Sequence, residues 1–245
     1  TTEIYTLSLH DALPISFLAG PPAPGPTPPA PASGGIDAAV FGQLQRLKIE
    51  PAGPCSDEVF VRRVYLDVIG LLPTLEEARA FLQDKSPEKR RLLIERLLER
   101  VEFADYWAMK WSDLLRVKSE FPINLWPNAA QAYYQWIWAA LRENMPYDRF
   151  ARELLTAQGS NFRVPQVNFF RALQGRTAEA MAMAAALTFM GSRAEKWPPG
   201  RLEGLAACFS RVGFKSTAEW KEEIVFFKDP GEPGTEPPQA RLPDR

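Results

Sequence analysis

Two irregular stretches of the chain combine aromatic rings with side-chain amides. They are residues 118–127 (KSEFPINLWP) and residues 158–167 (QGSNFRVPQV). A ring face beside hydrogen-bonding groups suits the binding of a sugar or a peptide, because such ligands present both apolar and polar surface. The candidate ligand-binding residues are Asn124, Trp126, Asn128, Tyr134, Asn161 and Arg163. The alternative is that the two stretches pack on each other and that their amides bind loop backbone.

Carboxylates are the second group of residues with catalytic chemistry. Glycoside hydrolases use two carboxyl groups roughly 5–10 Å apart across a cleft, so hydrolysis of a polysaccharide is one hypothesis. The candidate carboxylates for such a pair are Asp67, Asp113, Glu120 and Glu195. The alternative is that these side chains form structural ion pairs or lie in solvent.

Arg63 and Asp67 are four residues apart, so their side chains lie on one face of a helix. We predict a structural ion pair between them rather than an acid–base site, because structural ion pairs also place charged groups side by side without catalysing anything. Lys110, Asp113 and Arg116 are open to the same two interpretations, and we favour the structural one for them as well.

Histidine and cysteine chemistry is scarce in this sequence. The one histidine, His10, lies in a segment that we exclude below. Without it, Ser-His-Asp and Cys-His catalysis, haem ligation by histidine and histidine metal sites are excluded. Cys55 and Cys208 are too distant in sequence for a metal knuckle; a disulfide between them and two separate thiols are both compatible with the sequence, and we favour the thiols. No phosphate loop, nucleotide fingerprint or zinc spacing appears, and we expect no metal site.

The elements that must position these residues are helices. Residues 56–73 (SDEVFVRRVYLDVIGLLP) predict a helix that begins after Ser56 as N-cap and ends at Gly70. Its apolar residues fall on nearly every side, which predicts a central helix buried among the others.

The remaining pattern predicts an all-α domain of about nine helices with little or no sheet. Thr74 and Glu77 form a T-x-x-E capping box, and Asn128 and Thr177 are further predicted helix starts. Residues 200–212 predict the last helix. Residues 222–227 (EEIVFF) predict a short strand or an extended tail.

The two ends of the chain differ from the predicted domain. Residues 1–16 (TTEIYTLSLHDALPIS) match the forward translation of a common short-read sequencing adapter, so we expect an artefact and a missing native N-terminus. Residues 17–35 are a Pro/Ala/Gly linker and residues 229–245 a Pro- and Gly-rich tail, both predicted to be disordered. The folded domain is therefore predicted to be residues 36–228.

Charge and hydropathy argue against two classes of partner. The full chain has a formal net charge of −1, and without Glu3 and Asp11 of the adapter-like segment this becomes +1. A near-neutral chain gives no general attraction to nucleic acid. We therefore expect no nucleic-acid partner. No run approaches the roughly 20 apolar residues of a membrane span.

Three blocks of sequence together resemble one bacterial family. They are residues 62–82 (RRVYLDVIGLLPTLEEARAFL), 89–99 (KRRLLIERLLE) and 106–116 (YWAMKWSDLLR), preceded by Ile36-Asp37. The chain resembles, over about residues 36–227, the cytochrome-c-associated domain of unknown function 1549 that is abundant in planctomycetes. The resemblance implies an exported, periplasmic or cell-surface protein, with a cytochrome c segment upstream and a second domain downstream. No C-x-x-C-H motif occurs here, so we expect no cofactor in this chain and haem c on an upstream segment.

Two functional hypotheses follow. The first is a non-catalytic helical binding or assembly module of an exported multidomain protein, working beside a cytochrome c-type domain or a carbohydrate-active apparatus. The second is a carboxylate-dependent hydrolase domain that acts on polysaccharide. The expected partners are other domains of the same full-length chain, and glycans are a further candidate. We favour the first hypothesis, although the sequence does not define a biochemical activity.

Overall fold

A computed structural model describes residues 35–51, 53–120 and 125–229. The chain divides into two compact units, Thr1–Phe60 and Val61–Arg245. In the first unit, helix α1 (Gly35–Arg46) has no buried residue, and its Ile36 and Val40 are exposed, as is Leu47 after it. The predictions for residues 1–34 and 230–245 lie outside the described residues, and the predicted domain boundaries stay predictions.

The described part of the chain is mostly helical, with ten α-helices and one small sheet, which confirms the predicted fold class. The helices that follow α1 are α2 (Asp57–Ile69), α3 (Leu75–Gln83), α4 (Lys89–Leu98), α5 (Val101–Leu114), α6 (Pro127–Arg142), α7 (Tyr147–Leu155), α8 (Asn168–Arg171), α9 (Ala178–Met190) and α10 (Arg201–Ala206). The antiparallel sheet has the strand order β1 (Gly159–Ser160), β3 (Glu223–Phe227), β2 (Val212–Ser216).

Helix α2 begins and ends close to the predicted residues, but the prediction that it is buried on all sides is wrong. Its buried residues are Val61, Val64, Tyr65 and Ile69. These positions repeat every three to four residues and therefore form one face. Val59, an apolar residue outside this face, is 46% exposed. Helix α2 is therefore buried along one face and is not a central helix surrounded by others.

Two of the predicted helix starts are confirmed and one is wrong. The Thr74 hydroxyl accepts the Glu77 amide while the Glu77 carboxylate accepts the Thr74 amide, which is a complete capping box. The Thr177 hydroxyl accepts the Ala180 amide at the start of α9. Asn128 does not cap α6, because that helix begins one residue earlier at Pro127, whose ring suits a first helical position.

The C-terminal part contains more strand than the sequence indicates. The predicted helix over residues 200–212 is too long, since α10 ends at Ala206 and β2 begins at Val212. Residues 222–227 do contain a strand, because β3 pairs with β2 from Val212–Phe227 to Ser216–Glu223. The side chain of Val225 in β3 is fully buried.

The main core is built around α6 and α9 and extends to the sheet. Tyr133 and Ile137 of α6 and Ala182 and Ala186 of α9 are inaccessible to solvent. The small alanine side chains allow neighbouring elements to approach α9 closely. None of the described helices is long and apolar enough to cross a bilayer.

Candidate functional site

Three of the six predicted ligand-binding residues line one pocket. Trp126, Asn128 and Asn161 form its walls together with Ala129, Ala132 and Phe162, and the pocket has a volume of about 240 Å³. We call it the aromatic pocket. Of the other three, Asn124 lies outside the described residues, Tyr134 packs against the core, and the side chain of Arg163 is exposed.

The start of α6 positions two of the pocket residues. Trp126 precedes Pro127, and its carbonyl accepts the Ala130 amide at 2.9 Å, which fixes Trp126 on the first turn. Asn128 lies within that turn and is exposed. Its amide makes no hydrogen bond to any other described side chain or backbone group, so it is available to a ligand.

Asn161 has a different role, because its amide already holds the β3 strand. It is 1% exposed, its Oδ1 accepts the Glu223 amide at 2.8 Å, and its Nδ2 donates to the Lys221 carbonyl at 3.2 Å. The Asn161 amide N–H also donates to the Glu223 carbonyl at 3.1 Å. Asn161 therefore forms a wall of the aromatic pocket and positions the β2–β3 hairpin beside it.

The hairpin brings an additional tryptophan to the pocket. Trp220 lies between β2 and β3, and its ring packs edge-on against Trp126 with centroids 4.7 Å apart. Trp220 is 69% exposed and Phe162 is 45% exposed, so three aromatic rings meet solvent at this place. Lys221 lies with its Nζ 5.3 Å from the Trp220 ring centroid. The sequence interpretation missed Trp220, although a lone tryptophan in the polar run TAEWKE was a usable signal.

A buried ion network lies behind the pocket. Glu223 accepts from Arg176 through both carboxylate oxygens, at 2.7 and 3.1 Å, and from Arg171 Nε at 3.1 Å. The Arg171 and Glu223 side chains are nearly buried, while that of Arg176 is half-exposed. The Arg176 guanidinium lies over the Phe214 ring at 4.5 Å. The network ties α8 and the segment after it to β3, which is a structural role that the sequence did not indicate.

Glu222 connects the second irregular stretch, residues 158–167, to the segment between β2 and β3. Its carboxylate accepts from the Ser160 and Thr217 hydroxyls. These hydrogen bonds lower the pKa of Glu222, and the nearby charge of Arg163 acts in the same direction. Arg163 therefore contributes positive charge next to the hairpin without lining the aromatic pocket.

The predicted catalytic carboxylates do not come together in a pocket. Asp67, Asp113, Glu120 and Glu195 are all exposed. Glu195 lines a pocket of about 470 Å³, and none of the other three is among the residues that line it. No cluster of three histidine, cysteine, aspartate or glutamate residues in the described ranges could hold a metal ion.

The predicted ion pair between Arg63 and Asp67 is not among the ion pairs of the described residues. Both side chains are exposed on α2. In water, an arginine placed before its aspartate at this spacing gains little from pairing, which explains the open geometry. Cys55 is half-buried and Cys208 is exposed on the 3₁₀ turn Ala207–Phe209.

A further pocket, larger than the aromatic pocket, is lined in part by a structural ion pair. It has a volume of about 550 Å³ and is lined by Tyr65, Glu77 and Arg100, among others. Arg100 Nη1 donates to Glu77 Oε1 at 2.7 Å. Burial alone would raise the pKa of Glu77, but hydrogen bonds from the Thr74 backbone and Arg100 outweigh it and lower the pKa. The Glu77 and Arg100 side chains are therefore engaged with each other and are less available to a ligand.

Comparison with known proteins matches most of the described chain to a protein family. A family model described as PSCyt2, protein of unknown function (DUF1549), matches residues 35–195. The matched range includes Trp126, Asn128 and Asn161 but ends before β2 and β3. No curated protein and no solved structure matches the chain.

Proposed function

The chain belongs to the DUF1549 family. We propose that this member of the family is a non-catalytic binding module that holds one ring of a neutral glycan in the aromatic pocket. The observation that carries the proposal is that the half-buried Trp126 ring and the exposed Trp220 ring pack together beside the unengaged amide of Asn128. A sugar ring presents an apolar face and a polar edge, and these two groups match them.

The size of the aromatic pocket favours a single ring. Pockets that bind drug-sized ligands have volumes of roughly 300–1,000 Å³, and the aromatic pocket, at about 240 Å³, is below that range. One sugar unit of a longer polymer fits this volume, with the neighbouring units passing over the exposed rings of Trp220 and Phe162. Since no carboxylate is among the described residues that line the pocket, a neutral ligand is favoured over a cationic one.

The alternative of a carboxylate hydrolase has no comparable support. A glycoside hydrolase needs two carboxyl groups that face one cleft. Glu195 is the one candidate of the four that lines the pocket of about 470 Å³, so no second carboxylate faces it there. None of the four candidates lines the aromatic pocket. We therefore propose binding without hydrolysis.

We further propose that the module works outside the cytoplasm, in one chain with a cytochrome c-type domain. The support is the family resemblance together with the Pro/Ala/Gly composition of residues 17–35, which is typical of interdomain linkers. Haem c would then be bound by an upstream segment and other domains of the full-length chain would be partners. Long-read sequencing of the source locus tests this: a signal peptide and a C-x-x-C-H motif upstream are expected, and their absence from the complete gene would contradict it.

Glycan binding is tested with the full chain and a panel of neutral oligosaccharides from cellulose, chitin, xylan and mannan. Intrinsic tryptophan fluorescence and calorimetry report binding. We expect one member of the panel to bind, and Trp220→Ala to weaken its Kd at least about tenfold, because the exposed ring of Trp220 contacts the neighbouring sugar units and supports Trp126, and truncation of such a tryptophan typically costs about 2 kcal/mol or more. Asn128→Ala should weaken binding by a smaller factor.

Matched variants separate binding from folding. Met109 on α5 is half-exposed and lies outside the pocket, so Met109→Ala removes an apolar side chain of comparable exposure. Gln83→Ala likewise removes an exposed amide from α3. Both controls should keep the wild-type Kd, and Trp220→Ala should keep the wild-type Tm. Absence of binding to every member of the panel, or release of reducing ends from any of them, would overturn the proposal.

A further inference from the structure

The pocket of about 470 Å³ that Glu195 lines is also lined by Arg116, whose backbone conformation is unusual for an arginine. Arg116 follows the end of α5 with φ +59°. The Val117 amide donates to the Ser112 carbonyl and the Arg116 amide to the Asp113 carbonyl, which is the hydrogen-bond pattern of a Schellman motif. That motif favours glycine at the position of Arg116, because other residues are strained there. The chain therefore has an arginine at a position where the backbone conformation favours glycine.

The Arg116 guanidinium is also incompletely paired. Its Nη1 atom is buried, and neither Nη1 nor the buried hydroxyl of Tyr133 has a hydrogen-bond partner among the described residues. Burial raises the pKa of Tyr133, and the positive charge of Arg116 acts against this rise. A buried guanidinium nitrogen without a partner is energetically unfavourable unless an acceptor arrives from outside the chain.

The surroundings of Arg116 define what such an acceptor would be attached to. Arg116 lines the pocket of about 470 Å³ that also contains Arg193, and one wall consists of apolar side chains. These apolar residues are Leu173, Ala180, Met183, Ala184 and Leu187. Glu195 lines the pocket, but no ion pair within 4.0 Å joins it to either arginine in the described structure. Two cations and one anion leave a positive charge beside an apolar wall.

We propose that this arginine pocket binds an organic monocarboxylate with an apolar body, such as an alkyl or aryl carboxylate. The guanidinium group is planar and offers paired N–H donors that match the two oxygens of a carboxylate. The alkyl or aryl body lies along Leu173, Met183 and Leu187. The aromatic pocket and the arginine pocket share no lining residue, so this proposal does not depend on the glycan proposal.

The test uses octanoate as the probe, with octanol as its uncharged match and acetate as its match without an apolar body. Calorimetry and the ligand-induced shift in Tm are measured on the full chain, with octanoate below its micelle concentration. Octanoate is expected to raise Tm and to bind at least tenfold more tightly than octanol or acetate. Equal affinities for octanoate and octanol would overturn the proposal, since the arginines would then contribute nothing.

Arg116→Gly is the decisive variant, because glycine adopts φ +59° without strain. It should bind octanoate at least tenfold more weakly while its Tm in the absence of ligand stays equal to or rises above that of the wild type. Arg193→Gln should also weaken binding, and Glu195→Gln should strengthen it by removing the negative charge. Arg163→Gln changes an exposed arginine outside the pocket and should have no effect. If none of the probes binds, or if Arg116→Gly binds octanoate as the wild type does, the proposal is wrong and an internal water is left as the partner of Arg116 and Tyr133.

Discussion

Glu223 brings a negative charge into the protein interior, where two arginines neutralise it. The carboxylate is held by Arg171 and Arg176, while the backbone of the same residue pairs with Asn161. Asn161 in turn lines the aromatic pocket. The position of the candidate binding surface therefore depends on Glu223 and its two arginines, which are not among the residues that line the pocket.

The ion network predicts a graded loss of stability on mutation. Removing one partner of a buried pair leaves the other charge uncompensated, which typically costs about 3 kcal/mol or more. Glu223→Gln is therefore expected to lower the free energy of unfolding by about 3 kcal/mol, and Arg171→Gln by a similar or slightly smaller amount. Arg176→Gln should cost about 1 kcal/mol, since its side chain is 52% exposed and water can replace part of its contact.

Urea denaturation followed by circular dichroism measures this series, with Arg163→Gln as a surface control that should change stability by less than about 0.5 kcal/mol. If Arg171→Gln and Arg176→Gln lower the free energy of unfolding equally, burial of the Arg171 side chain does not make its ion pair the stronger one. A neutral Glu223→Gln would show that the network does not stabilise the fold.

At the level of single elements, Gly70 ends α2 for two separate physical reasons. Its φ is +71°, which other residues adopt with strain, and a Cβ atom built there would lie 2.3 Å from Cδ2 of Tyr106. Gly191 ends α9 with a similar φ of +60°, but a Cβ there would meet no atom within 4 Å. The two glycines therefore share the backbone strain and differ in the steric contact.

This pair predicts two different costs for the same substitution. Gly191→Ala should lower the free energy of unfolding by about 1 kcal/mol, from the left-handed conformation alone. Gly70→Ala should cost at least about 3 kcal/mol, because the tyrosine ring must also move out of a packed position. Thermal and urea unfolding of the two variants provide the comparison. Equal losses would mean that Tyr106 moves aside freely and that its packing does not hold the end of α2.

Features that depend on contacts between residues close in sequence were predicted, and features that depend on contacts between distant segments were not. The capping box of α3, the Thr177 cap of α9 and the end of α2 depend on residues within one helical turn, so their signals are present in the sequence. Strand β2 depends on pairing with β3 and was not predicted; the predicted helix over residues 200–212 ran into its first residue, Val212, because nothing in that stretch indicates the distant partner. The exposure of apolar residues such as Val59 on α2 was missed for the same reason, because the composition of a helix does not show which of its faces packs against other elements.

The candidate site shows the same division between local and distant information. Trp126, Asn128 and Asn161 were selected because aromatic and amide residues cluster in two stretches, and the structure brings these three into one pocket. Trp220 joins them through the β2–β3 hairpin, whose sequence contains no strong turn signal. The occupied amide of Asn161 could not be anticipated either, because its partners lie about 60 residues away in the chain.

At the scale of the whole molecule, the folded unit extends beyond the segment that matches the family. The match covers residues 35–195. The same hydrophobic core includes Leu205, Phe209, Val212 and Val225, which lie after that segment. Strand β1 also has its pairing partner, β3, in this later part. The matching segment therefore does not contain all of the residues that bury its own core.

Truncation of the chain tests whether the later residues are required for folding. A chain ending at Glu195 loses β2, β3 and the carboxylate that neutralises Arg171, so its core becomes open to water on one side. We expect this variant to lose its cooperative thermal transition and its near-UV circular dichroism. A chain ending at Asp229 keeps all three strands and loses only residues 230–245, whose Pro- and Gly-rich sequence offers few apolar side chains. Its Tm should stay within a few degrees of the full-length value. A cooperative transition in the shorter variant would show that the family segment folds independently, and the aromatic pocket would then have to function without Trp220.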